Sequence, residues 1–297
     1  MPQEPVTYAR RSDGALKTAH RAAGILPNWR GEGECWLFVA AHDDDIAGGA
    51  GLALLAALEE GVAVHALITT DGRMGYCTAE EKTSIVKTRR AETEASFRIL
   101  GVADRNVHFL GFPDCDLASF IGRRPAAPGD PTAIEGYAGL QNAYTHHLRR
   151  IAPTRVFVPT IADLHPDHKT TNEEMLMSIF HACGPIWPEL GQAVGALPEV
   201  YEYVTYVDFP EPPGIKITTS PRLLEKKIAA LLAYESQKQI GVFVDGLRKA
   251  GPVEYLRELR FRRYSPARYE GLFETTTPQF AKSRGDSQAN SLLSPLL

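Results

Sequence analysis

Trp36-Leu37-Phe38-Val39-Ala40-Ala41-His42-Asp43-Asp44-Asp45-Ile46-Ala47-Gly48-Gly49 runs from an apolar stretch straight into one histidine and three aspartates, then through glycines into a helical pattern. A continuous apolar run suits a strand covered on both faces, as in a parallel sheet. Four polar groups beside such a strand are costly to bury unless something compensates them, and a bound metal ion does so directly. A second cluster, His165-Pro166-Asp167-His168, follows another apolar strand, Val156-Phe157-Val158-Pro159. We expect the two strand ends to meet in space and hold one zinc ion.

Outward from the first stretch, strand and helix alternate. Residues 35–41 read as a strand. Residues 49–60 read as a helix with Leu52, Leu55, Ala56 and Leu58 packing inward and Gly61 as its stop. Residues 62–70 form the second strand, followed by the turn Asp71-Gly72-Arg73-Met74-Gly75. A long helix over 79–100 ends at Gly101, and residues 106–112 give the third strand, broken by Pro113-Asp114. A loop rich in Pro and Gly over 122–131 precedes a helix near 136–151, a fourth strand over 155–160, and a helix over 170–183. This order predicts an α/β fold, a mostly parallel sheet with helices on both faces. Ligands of such sheets sit outside the carboxyl ends of the strands, near a topological switch, and both polar clusters lie at carboxyl ends.

Beyond Pro185 the alternation weakens. Residues 200–207 and 215–218 read as strands, and Ser220 caps a helix expected to run to Gln239, with Pro221 in its first position. A last helix is expected over 253–262, and one over 15–23 near the start of the chain. The Ser- and Asn-rich tail from Lys282 is expected to be loose.

The 297 residues, 32 basic and 36 acidic with a formal net charge of -4, allow one large domain with an ample core. The basic pairs Arg89-Arg90, Arg123-Arg124 and Arg149-Arg150 are scattered and offset by acids, so no nucleic-acid partner is expected. Cys35, Cys77, Cys115 and Cys183 lie far apart without a CxxC pair, which suits thiols of a reducing compartment. With no apolar leader segment and no run long enough to span a membrane, a cytoplasmic protein without a transmembrane segment is expected. Nothing in the sequence indicates an oligomeric state.

A catalytic zinc takes three protein ligands and keeps a position for water. His42, Asp45 and His168 make such a set, and its mixed nitrogen and oxygen donors also suit Fe2+ or Co2+. Asp44 is placed to take a proton from that water, and His165 to polarise or protonate at a reacting carbonyl. Asp167 is placed to orient an imidazole through its second nitrogen. These parts suffice for metal-assisted amide hydrolysis. The bland alternative makes His42–Asp45 a capped turn and His165–His168 a solvated loop, but two such clusters at the ends of neighbouring strands favour the metal. His65, His146 and His147 lack matching carboxylates and read as packing or surface residues. Gly48, Gly49 and Gly51 lack the GxGxxG spacing of a dinucleotide turn.

The strand running into AHDDD, the TTDGRMG turn, TRRAE leading to RILGV, FLGFPD and the later HPDH together resemble the zinc-dependent de-N-acetylases of the LmbE-like, or PIG-L, family. The resemblance covers residues 36–183, with a weaker echo in Leu231-Leu232-Ala233-Tyr234-Glu235-Ser236-Gln237. It implies a Rossmann-like fold and hydrolysis of an N-acyl group from an N-acylated amino-sugar substrate. Aligned on the histidine of the family motif His-Pro-Asp-Asp-Glu, the metal ligands fall on His42, Asp45 and His168, the base on Asp44 and the catalytic histidine on His165. Asp43 stands where the family has proline, and Ile46 where it has glutamate. The resemblance also implies that Arg89 and Asp114 hold sugar hydroxyls.

The resulting expectation is an N-terminal extension over 1–33, one LmbE-like deacetylase domain over 34–281 and a C-terminal tail over 282–297. The competing class is a metal-stabilised carbohydrate-binding or scaffold protein without turnover, which would need neither a base at Asp44 nor an open metal position. Tyr201, Tyr203, Tyr206 and Tyr234 are candidates to line the part of the site that takes the remainder of the substrate.

Overall fold

The computed structural model describes residues 4–12, 14–261 and 264–274; the tail from Lys282 lies outside them. The chain starts with the hairpin β1 (Thr7–Ser12) and β2 (Ala15–Ala19). Then come β3 (Cys35–Ala40), α1 (Asp45–Gly49), α2 (Gly51–Glu59), β4 (Ala63–Thr70), α3 (Ile85–Leu100) and β5 (Val107–Phe112). Two short strands, β6 (Arg124–Pro125) and β7 (Tyr137–Ala138), precede α4 (Leu140–Ile151), β8 (Arg155–Pro159) and α5 (Pro166–Cys183). The C-terminal part holds β9 (Glu199–Tyr203), β10 (Ile215–Thr218), α6 (Pro221–Leu232), α7 (Ile240–Ala250) and β11 (Val253–Leu259).

Among the described residues one sheet has the order β2-β1-β10-β11-β9-β8-β3-β4-β5. The pairs β9-β8, β8-β3, β3-β4 and β4-β5 are parallel, while β11, β10, β1 and β2 continue the sheet by antiparallel pairing. The sheet is therefore mixed, with the parallel strands expected from sequence forming one half of it, from β9 to the β5 edge. Period-2 alternation sorts the side chains of β3 to two cores. Trp36 and Phe38 face one core with Phe157, the apolar side of α2, and α6; Leu37 and Val39 face the other with Leu67, Val156 and helices α4 and α5. Phe38 stacks on Phe157 at 4.3 Å between ring centroids, and full burial of such a ring contributes about 1.5–3 kcal/mol. At the amino ends of β3 and β8, the buried pair Glu34–Arg155, at 3.1 Å, ties the two strands together.

Several expected elements differ in kind or extent. Residues 15–19 are a strand, because pairing with β1 overrides the helix propensity of an Ala- and Lys-containing segment. Residues 253–259 are also a strand, held between β10 and β9, with Tyr255 exposed between the buried Glu254 and Leu256. The helix from Ser220 stops at Leu232 instead of Gln239. The next residues leave the helix to reach the first polar cluster: the Tyr234 hydroxyl donates to the Asp43 carbonyl, and the Gln237 amide donates to the Gly75 carbonyl. No helix among the described residues is long and apolar enough to cross a membrane.

Candidate active site

From β3 the chain first builds β4 and β5 on one side, then returns to place β8 on the other. The carboxyl ends of β3 and β8 therefore flank the switch point where such sheets form a ligand crevice. The β3 end delivers His42 through Asp45. The β8 end delivers His165 as the N-cap of α5 with Pro166 in its first turn, so Asp167 and His168 project from the start of that helix. Gly49 in α1 packs against the end of β9, where a Cβ would lie 2.4 Å from the Val204 carbonyl oxygen.

His42, Asp45 and His168 converge. His42 Nδ1 lies 3.1 Å from His168 Nε2, and Asp45 Oδ2 lies 3.6 Å from the first and 3.2 Å from the second. Two imidazole nitrogens bound to one tetrahedral metal ion at ordinary bond lengths stand roughly 3.3 Å apart. Asp45 Oδ1 is buried without a hydrogen-bond partner among the described residues. Donor chemistry, spacing and an orphaned carboxylate oxygen all fit a divalent ion.

The electrostatics point the same way. Burial works against the charged form of His42, yet Asp114, Asp167 and Asp45 hold its pKa well above the usual value. Burial likewise opposes His168, but Asp45 and Asp163 raise it to about 9. Burial would raise the Asp45 carboxyl, but His168 and His42 keep it far below the ordinary carboxylate range. A pocket that holds protons on two buried imidazoles has a surplus of negative charge, which a divalent cation would satisfy.

The other expected residues surround this centre. Asp44 is partly exposed, with Oδ2 3.4 Å from Arg89 Nη2. His165 Nδ1 accepts from the Asp167 backbone N–H at 3.2 Å, so the neutral ring carries its proton on Nε2, which lies 3.9 Å from Cys115 Sγ. Burial and the neighbouring His42 push its pKa below the ordinary value. The Asp167 carboxylate accepts from the backbone N–H groups of Cys115 and Leu117 and lies 3.5 Å from His42 Nε2. Asp114 sits 3.1 Å from the same nitrogen and accepts from the Met74 N–H. The donor atoms of His42, Asp114 and His165 also lie within 4.8 Å of one another.

Arg89 is buried and turned to Asp43. Its Nε donates to both Asp43 oxygens at 2.9 and 3.0 Å, its Nη2 adds a further bond, and Thr93 donates to Asp43 Oδ2. Gly72 and Gly75 pack so near this guanidinium that a Cβ on either would come within 2.9 Å of it. Sequence reasoning did not foresee this pair, although the acidic replacement of a proline beside a buried-helix arginine was its signal. It also missed Asp163, fully buried, whose Oδ2 stands 3.1 Å from His168 Nδ1, the nitrogen turned away from the centre. An acidic residue five positions before His168 in the same loop was the available cue.

Residues 37–179 match the family model described as PIG-L, GlcNAc-PI de-N-acetylase. Over these residues the chain is similar to the PIG-L family. A relative from Saccharopolyspora erythraea, a 1D-myo-inositol 2-acetamido-2-deoxy-alpha-D-glucopyranoside deacetylase, is 28% identical over 233 residues, covering 68% of this chain and 82% of that protein. The N,N'-diacetylchitobiose deacetylase of Pyrococcus horikoshii shares the fold at TM-score 0.59 and 22% identity, over 76% of this chain and 84% of that one. So does GalB of Pseudomonas putida KT2440, a 4-carboxy-2-hydroxymuconate hydratase, at TM-score 0.55 and 20% identity, over 78% and 98%. This fold thus does not by itself choose the reaction, which must be argued from the site.

Proposed function

We propose that this protein is a metal-dependent hydrolase that removes an N-acetyl or related acyl group from an amino-sugar-containing small molecule. The observation that carries the reading is the convergence of His42, Asp45 and His168, flanked by Asp44 and by the Nε2–H of His165. The family description and the name of the S. erythraea relative, both N-deacetylases, support the choice of bond. Zinc is the default ion, with Fe2+ or Co2+ compatible with the same donors. The free thiols and the composition favour a reducing, cytoplasmic setting.

When bound, the ion supplies Lewis-acid activation of water and of the acyl carbonyl. Asp44 accepts the proton that the attacking water loses and passes it to the amine nitrogen as the carbon–nitrogen bond breaks. His165, neutral with its proton on Nε2, donates a hydrogen bond to the acyl oxygen as negative charge develops there. Asp167 fixes this tautomer through its backbone N–H, and Asp114 and Asp167 hold His42 from behind. A hydroxyl approaching Arg89 competes with Asp43 for it, and one approaching Asp114 competes with His42 and the Met74 N–H.

Asp44→Asn tests the reading. The variant should keep its metal and lose about two to four orders of magnitude in acetate release from N-acetyl sugars. A rate near wild type would remove Asp44 from the reaction and move the base to another carboxylate.

A further inference from the structure

Tyr206 stands apart from the other tyrosines of the C-terminal part. Tyr201, Tyr203 and Tyr234 are fully buried, and each commits its hydroxyl to the scaffold: Tyr201 to Arg155, Tyr203 to the Val39 carbonyl and Tyr234 to the Asp43 carbonyl. Tyr206, three residues after β9, is 58% exposed. Its ring lies on the His168 imidazole, with centroids 5.2 Å apart and planes 19° from parallel. Its backbone N–H stands 3.5 Å from Asp163 Oδ2, the oxygen that also faces His168 Nδ1. One carboxylate therefore positions both the imidazole and the segment that carries the aromatic ring. Leu164, between Asp163 and His165, is likewise exposed.

The groups gathered around the centre are mostly carboxylates and imidazoles, which suit hydroxyls and an acyl group. A pyranose also presents a flat face of C–H bonds, for which such groups offer nothing. An aromatic ring provides a large apolar contact with only two side-chain torsions to immobilise. We propose that Tyr206 is a specificity-determining residue, a platform on which the C–H face of a pyranose substrate stacks while its acyl group reaches the centre beside His168. The proposal rests on the deacetylase reading and deepens it: the substrate is a ring sugar, and the phenol hydroxyl takes no part in bond breaking.

The test compares wild type with Tyr206→Phe and Tyr206→Ala, using methyl N-acetyl-β-glucosaminide as the probe. Steady-state kinetics, metal content and saturation-transfer NMR of the bound probe are all recorded. Tyr206→Ala should raise KM roughly tenfold, the scale of one lost ring contact, with kcat and metal content retained. Tyr206→Phe, which keeps the ring, should restore KM to within about twofold of wild type. Saturation transfer to the pyranose C–H protons should be strong in wild type and in Tyr206→Phe and lost in Tyr206→Ala. An unchanged KM in Tyr206→Ala overturns the proposal. So does a loss of metal or of kcat in that variant, which would make the ring a cover for His168, and so does a failure of the phenylalanine variant to rescue. Wild type that neither binds nor hydrolyses the probe also overturns it. Wild type that binds with this NMR pattern but releases no acetate instead contradicts the deacetylase reading and leaves the platform standing.

Discussion

Asp43 and Arg89 face each other as a buried ion pair in which one guanidinium nitrogen bridges both carboxylate oxygens, at 2.9 and 3.0 Å. The pair joins the loop after β3 to the first turns of α3 and, through Arg89 Nη2, reaches Asp44 at 3.4 Å. Burial works against the Arg89 charge, but Asp43 and Asp44 more than restore it.

Removing one partner leaves the other charge buried and unpaired, which costs about 3–5 kcal/mol. Arg89→Ala should therefore lower unfolding stability on that scale, read from the urea midpoint at constant slope. Arg89→Lys should recover only part, because an ammonium lacks the fork that spans both oxygens. A loss below about 1 kcal/mol in the alanine variant would show that solvent reaches Asp43 and that the pair is not the anchor described.

Asp163 orients His168 from its far nitrogen, an arrangement that fixes the tautomer of a metal-binding imidazole. Loss of such a partner typically lowers metal affinity 10–100-fold. Asp163→Ala should show that decrease in a chelator-competition titration while remaining folded by circular dichroism. Wild-type affinity in the variant would mean that His168 is oriented without it.

At the opposite end of the parallel strands, four imidazoles lie in a row. His65 and His108 stack with nitrogens 3.1 Å apart, His147 packs on His108, and His146 packs on His147. Arg105 acts on His65 and Arg150 on the other three, while Glu135 acts only on His146. Burial, with His65 and Arg150, lowers His108 to about 4; burial, with His108, His146 and Arg150, lowers His147 to about 3. The folded chain thus binds fewer protons here than the unfolded chain below the ordinary histidine value of 6.5. Stability should fall as pH drops below about 6.5 and go on falling until about 4 for His108 and about 3 for His147. Urea unfolding across that window should show a shallower fall in His147→Leu. Parallel curves for the two proteins would remove His147 from the acid response.

The parts of the molecule that were legible in the sequence are those where burial is written locally. Residues 36–41 and 156–159 are apolar throughout because both faces of β3 and β8 are covered, and the polar residues begin where the strands end. The strand β2 pairs with the neighbouring β1, a local hairpin whose Asp13-Gly14 signal in the sequence was overlooked. The strand β11 was not legible, because its conformation comes from a partner distant in sequence, Ile215 opposite Leu256. The end of α6 is of the same kind, set by the bond from Tyr234 to a carbonyl nearly two hundred residues away. Asp163 and Asp43 were overlooked because their partners are single side chains brought near only by the crossover from β3 to β8 and by α3. The helix after the second cluster begins at Pro166, four residues before the expected start at Thr170, so that His165 becomes its cap.

Metal content tests most directly whether the β3 and β8 ends meet around one ion. Native mass spectrometry with elemental analysis should find one divalent ion per chain in wild type. His42→Ala, Asp45→Ala and His168→Ala should each lose it while remaining folded, and Asp44→Asn should retain it. Full metal content in all three alanine variants would contradict the account.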